Sequence, residues 1–152
     1  MRLRKPSPVE NLLTDDNKSR ILAAIQRAET NTSGEIRVHI ERTAKKQAPL
    51  DRAVEVFHEL GMQDTELRNG VLVYVALDDR QFAIIGDEGI NQKVGEQFWE
   101  QEKDRMTEYF QQGDIIGGIV YFIDQIGSKL QAYFPYQADD VNELSDDISV
   151  GE

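Results

Sequence analysis

The sequence predicts an α/β fold: a three-layer α/β/α sandwich built on a small mixed β-sheet. Val71 to Leu77, VLVYVAL, is an unbroken apolar run rich in β-branched residues, the pattern of a strand buried on both faces. Glu35 to Glu41 alternates, with Ile36, Val38 and Ile40 on one side and Glu35, Arg37, His39 and Glu41 on the other, so it reads as a strand with one wetter face. A helical pattern lies between them, which makes a βαβ unit with parallel strands and a right-handed crossover. A strand with no polar face needs helices on both sides, and that requirement sets the layers.

In chain order, Pro6 and Pro8 predict a frayed or draped N-terminal segment over residues 1–13, pinned to the body by Val9, Leu12 and Leu13. Thr14 is an N-cap, and Asp15 and Asp16 sit where carboxylates favour the positive end of a helix. Ile21, Ile25 and Ala28, widened by Leu22 and Ala24, carry that first helix to about Thr30. The turn Asn31 to Gly34 leads into the first strand, and Arg42 to Pro49 is a basic loop. Leu50, Ala53, Val54, Phe57 and Leu60 predict a second helix that stops at Gly61.

After the central strand, Asp78-Asp79-Arg80 supplies turn chemistry and Gln81 to Ile85 resumes as an antiparallel strand. Gly86-Asp87-Glu88-Gly89 ends the hairpin. Asn91 then caps a third helix with Val94, Phe98, Met106, Tyr109 and Phe110 on its apolar face. Gly113 closes it and Asp114 opens the fourth, whose stripe of Ile115, Ile119, Phe122, Ile123, Ile126 and Leu130 is the broadest in the chain. Tyr133-Phe134-Pro135 ends that helix, because proline cannot continue it. The domain therefore spans residues 14–135. An acidic tail over 136–152 follows, with Val141, Leu144, Ile148 and Val150 spaced along it, and it either packs loosely or is disordered.

A chain of 152 residues suits one domain, and 39% hydrophobic with 30% charged residues describes a globular one. The absence of cysteine removes disulfides, thiolate metal sites and cysteine nucleophiles, and fits a cytoplasmic protein. The formal net charge of −11 disfavours nucleic acid and favours divalent cations or a basic protein partner; its plainest role is solubility. Arg2, Arg4 and Lys5 are not followed by the apolar region of a signal peptide. Ile115 to Ile126 is too short to span a bilayer and contains Gly117, Gly118 and Asp124, so no membrane partner is expected.

The topology sorts the polar residues into two ends. Ser33, Gly34, Glu35, Arg68, Asn69, Asp87, Glu88 and Gly89 gather where the parallel strands start. Glu35, Asp87 and Glu88, with Asn69 and backbone carbonyls, are oxygen-only ligands on glycine-bracketed loops, which suits Ca or Mg. The plainer reading of the same residues is ordinary turn chemistry, and their spacing matches no EF-hand loop. Asp78 and Asp79 form a competing acidic site at the strand ends, where open α/β sheets tend to bind ligands; they also read as a plain hairpin turn. Arg37 and His39 on the wetter face suit an ion pair with neighbouring glutamates better than phosphoryl chemistry. No dinucleotide fingerprint, P-loop, zinc-protease or serine-hydrolase motif is present.

The runs TSGEIRVHIE, TELRNGVLVYVALDDRQFAIIGDEGIN and QGDIIGGIVYFIDQIG resemble the TPM-domain family over roughly residues 14–135. That family includes a plant thylakoid-lumen protein linked to acid phosphatase activity and photosystem II repair, and many bacterial proteins. The resemblance implies the α/β/α sandwich, Ca or Mg binding and, as an alternative, phosphatase activity; in such a phosphatase a bound cation would polarise a phosphoryl oxygen, with Asp87 or Glu88 as base. Ser33-Gly34-Glu35, Asn69-Gly70, Asp78-Asp79-Arg80 and Gly86 to Gly89 match its pattern. Arg37 and His39 stand where many members have aliphatic residues, and the signal peptide, anchor and glycine-rich tail of many members have no counterpart here. The expected function is a non-catalytic, cation-binding regulatory or assembly module, with phosphatase and cation-independent interaction module as alternatives.

Overall fold

The computed structural model describes residues 5–136 and 148–151. Three strands fall where the apolar patterns place them: β1 (Glu35–Glu41), β2 (Gly70–Ala76) and β3 (Gln81–Gly86). β1 and β2 run parallel from Glu35 opposite Gly70 to Glu41 opposite Ala76, and β3 returns antiparallel, from Ala76 opposite Gln81 to Val71 opposite Gly86. Every residue of β2 is buried, as its unbroken run requires.

The acidic tail departs from expectation. Ile148–Val150 forms a fourth strand, β4, parallel to β1, so the sheet order is β3-β2-β1-β4. The physical reason is the free edge of β1, whose backbone groups otherwise lack a partner on that side. Residues 137–147, with Val141 and Leu144, lie outside the described residues. Deleting residues 148–152 is expected to cost about 1–2 kcal/mol, the net worth of a few ladder hydrogen bonds. Urea unfolding measures it, and an unchanged midpoint would mean that β4 adds nothing to the fold.

Helices cover both faces. On one, α2 (Asp15–Glu29), α4 (Glu88–Val94), α5 (Glu96–Gln111) and α6 (Ile115–Tyr133) pack on Ile36, Val38 and Ile40 of β1 and Val71, Val73 and Val75 of β2. α6 is the most buried, contributing Ile119, Phe122, Ile123, Ile126 and Leu130 with no exposure. Gly127 lets it approach α2 closely: a Cβ there would lie 2.6 Å from the Ala28 Cβ. On the other face α3 (Pro49–Glu59) packs Ala53, Val56 and Phe57 on Leu72, Tyr74 and Ala76.

Four local expectations change. The N-terminal segment is ordered as α1 (Pro8–Leu12), with Ser7 accepting from the Glu10 N–H and Val9 and Leu13 buried. The third helix is two, because Gly95, at φ 78°, breaks the chain between α4 and α5. The N-cap of α4 is Asp87, whose carboxylate accepts from the Glu88 N–H, while Asn91 instead donates to the Gly86 carbonyl at 2.7 Å. The inner face of α3 carries Arg52, Ala53, Val56 and Phe57, and Leu50 and Val54 are exposed. That rotation is set by Arg52, which has a buried partner on β1.

Candidate functional site

The end of the sheet where β1 and β2 start carries four of the expected ligand residues, Glu35, Asn69, Asp87 and Glu88. Asp87 follows β3 directly, and its N–H donates to the Gly70 carbonyl at 2.9 Å, which fixes it beside the start of β2. Asn69 and Ser33 lie at the two strand starts, with the Asn69 amide donating to Ser33 Oγ at 3.2 Å. Glu35 and Asn69 are buried, and the Glu35 N–H donates to the Asn69 carbonyl at 3.4 Å. Glu88 stands at the surface, its side chain 73% exposed.

An arginine already occupies this carboxylate. Arg68 Nε and Nη2 donate to Asp87 Oδ2 and Oδ1 at 2.7 and 2.8 Å, a bidentate fork, and Nη1 is 4.0 Å from Glu88. The Asp87 carboxylate holds the Arg68 guanidinium more firmly protonated than usual. The Asp87 side chain is 5% exposed and that of Arg68 is 43% exposed, so the pair is half immersed. Arg68 sits at φ 52°, a left-handed conformation disfavoured for a side chain with a Cβ. Gly89 closes the corner: its N–H donates to the Arg68 carbonyl at 2.8 Å, and a Cβ there would lie 2.1 Å from the Leu67 carbonyl oxygen. Among the described residues, no three histidine or acidic side chains converge as a metal ion would require.

Asp78 and Asp79 lie at the other end of β2, about 20 Å away along a seven-residue strand. Each is committed locally. Arg42 Nε donates to Asp78 at 2.8 Å, and the Ala44 N–H donates to Asp79 at 2.8 Å, so the two carboxylates fasten the loop after β1 to the hairpin turn.

A second charged centre is buried under α3. Glu41 has no exposed side-chain surface. Arg52 Nε and Nη2 donate to its two oxygens at 2.8 and 3.0 Å, and the Tyr74 hydroxyl donates to Oε2 at 2.5 Å. His39 Nε2 lies 3.1 Å from Oε1, and Nδ1 lies 2.7 Å from Ser149 Oγ on β4. An ionised Glu41 only accepts, so Nε2 carries the proton and the Ser149 hydroxyl donates to Nδ1. Burial pushes the Glu41 carboxyl up, but hydrogen bonds from Arg52, Tyr74 and His39 outweigh it and hold it at about 2. Burial pushes His39 below its ordinary value, against the pull of Glu41, and keeps it neutral. Tyr74 is pushed up by burial and by Glu41. The alternation of β1 pointed to an ion pair of His39 with a glutamate; the cation from α3 and the hydroxyl from β2 were missed. The available signal was that a charged strand face beneath a helix requires an opposite charge on that helix.

A four-stranded mixed sheet with helices on both faces makes this a small α/β sandwich domain. The chain belongs to the TPM domain family, whose model matches residues 9–129. It is similar to the BA42 protein of the psychrophilic bacterium Bizionia argentinensis, with 45% identity and a TM-score of 0.86 over 96% of this chain and 100% of that one. The N-terminal domain of the cg2496 protein of Corynebacterium glutamicum, 13% identical over 97% and 93% of the two chains, superposes with a TM-score of 0.64. An N-terminal domain from P. gingivalis, 18% identical over 81% and 79%, does so with 0.68. These two share the fold. No curated protein matches the chain. No helix among the described residues is long and apolar enough to cross a membrane.

Proposed function

We propose that this TPM domain is a non-catalytic regulatory or assembly module that responds to a divalent cation, Ca or Mg, at the Asp87 corner. The observation that carries the reading is the Arg68–Asp87 fork. In this arrangement Arg68 stands in for the metal: it neutralises the buried carboxylate that a cation would otherwise take. Its guanidinium is half exposed, so it can move to solvent as an incoming cation takes over the charge of the buried carboxylate. Released, it would leave Asp87, with Glu88, the Asn69 side chain and nearby carbonyls, to supply oxygen ligands. Competition with an internal cation makes the affinity about millimolar, the weak end of the calcium range. The partner would read the rearranged loop. Asp78 and Asp79 serve the hairpin rather than this site.

A metal-assisted phosphatase, with Asp87 or the exposed Glu88 as base once Arg68 has left, is the alternative; hydrolysis of a phosphate monoester that Asp87→Asn abolishes would favour it. Calorimetry with calcium and magnesium tests the cation site. Arg68→Gln is expected to bind the cation about tenfold more tightly than wild type, and Asp87→Asn to abolish binding. Equal affinity in wild type and Arg68→Gln, or retained binding in Asp87→Asn, would overturn the competition and the site with it.

A further inference from the structure

At the opposite end of the sheet a cleft of about 790 Å³ opens between the ends of β2 and β3, the C-terminal half of α5 and the start of α6. Its walls are apolar, with Leu77, Phe82, Phe110 and Ile115 among them, and the Phe82 and Phe110 rings lie 4.9 Å apart. Arg80 and Lys103 also line it, with Thr107 between Lys103 and Phe110 along α5. Among the described residues no acidic one lines the cleft, in a chain of net charge −11.

Three acids beside the cleft in sequence are turned to other partners. Asp78 and Asp79 neighbour Arg80 in sequence, but the first is paired with Arg42 and the second accepts from Ala44. Asp114, beside Ile115, caps α6 by accepting from the Gly117 N–H at 3.0 Å. The cleft keeps two cationic side chains, and neither forms an ion pair among the described residues. Arg80 sits at φ 53° in the hairpin turn, a place that glycine or asparagine fills more easily.

We propose that this cleft binds a small organic anion: an apolar body lying against Phe82, Phe110, Leu77 and Ile115, with one carboxylate or phosphate head held by Arg80 and Lys103. The volume is that of a small-molecule site, and apolar walls with a few polar groups are the usual lining of one. Charge complementarity selects the head. In water an exposed arginine or lysine gains little from an anion, but beside an apolar wall the contact is less screened, and the guanidinium can take the head through two bonds. The apolar body and the charged head each supply part of the affinity, so neither a bare anion nor a neutral apolar molecule satisfies the whole cleft. The site is independent of the Asp87 corner.

Octanoate, octyl phosphate and octanamide serve as probes, followed by backbone amide NMR and calorimetry on the full chain. Octanoate is expected to saturate, with shifts confined to residues near 75–82 and 103–115, and octanamide to bind at least tenfold more weakly. Arg80→Gln and Lys103→Gln, both exposed and both expected to fold, should each weaken octanoate about tenfold, and Asp87→Asn should leave it unchanged. Tighter binding of octyl phosphate than of octanoate would identify the head as phosphate, and the reverse as carboxylate. Equal binding of octanoate and octanamide, shifts elsewhere on the domain, or unchanged affinity in both glutamine variants would overturn the proposal.

Discussion

Arg52→Met is expected to destabilise the domain by about 3–5 kcal/mol, because it strands the Glu41 charge in a buried site. For a domain of this size that is roughly 10 °C in Tm. Tyr74 and His39 would still contact Glu41, but neither is a cation at neutral pH. The double variant Glu41→Leu with Arg52→Met removes the charge along with its partner and should be less destabilised than Arg52→Met alone. Thermal and urea unfolding of the two variants decides it. If Arg52→Met unfolds with the wild-type midpoint, the buried pair is not what holds α3 to the sheet.

The same centre contributes to acid sensitivity. Glu41 is held at about 2, below its usual 4.5, so the unfolded chain takes up the proton first as pH falls. Its contribution is complete above about 4.5 and is lost as pH falls toward 2. His39, pushed below 6.5, acts in the same direction: under that value the unfolded histidine binds a proton that the folded one resists. Both groups therefore make the domain less stable in acid.

Gly89→Ala is expected to cost about 3 kcal/mol, the upper part of the overpacking range. The obstacle is backbone, since the added carbon would lie 2.1 Å from the Leu67 carbonyl oxygen and 2.7 Å from that of Arg68. A side chain could swing away; these carbonyls cannot without moving the loop that carries Arg68. The variant should therefore lose its Arg68–Asp87 geometry as well as stability, visible as amide shifts over 66–70 and 86–90 together with a lowered urea midpoint. A variant with unchanged midpoint and spectrum would show that α4 does not rest on that loop.

The strands were legible because their signals are local. Val71 to Leu77 has no polar residue to misplace, and Glu35 to Glu41 alternates through its whole length, so both fell within one residue of the observed bounds. Gly95 was not read as a break because a lone glycine inside a helical pattern is usually tolerated. β4 was missed because three residues, Ile148 to Val150, carry too little pattern, and their pairing with Val38 to Ile40 spans more than a hundred positions. The ends of the sheet were sorted correctly from topology alone, since strand direction decides which loops meet. What sequence could not give was pairing. Arg68 was placed beside Asp87, yet only the structure shows the guanidinium closing on it, and Arg52 was lost because a helix stripe read by hydropathy counts a buried arginine as surface.

A calcium titration of wild type and Arg68→Gln, followed by backbone amide NMR, tests the central claim most directly. The account predicts saturable shifts at residues 33–35, 67–70 and 86–89 in both proteins, reached at about tenfold lower calcium in Arg68→Gln. Shifts centred on 78–80, or no saturable shift in either protein at millimolar calcium, would contradict it.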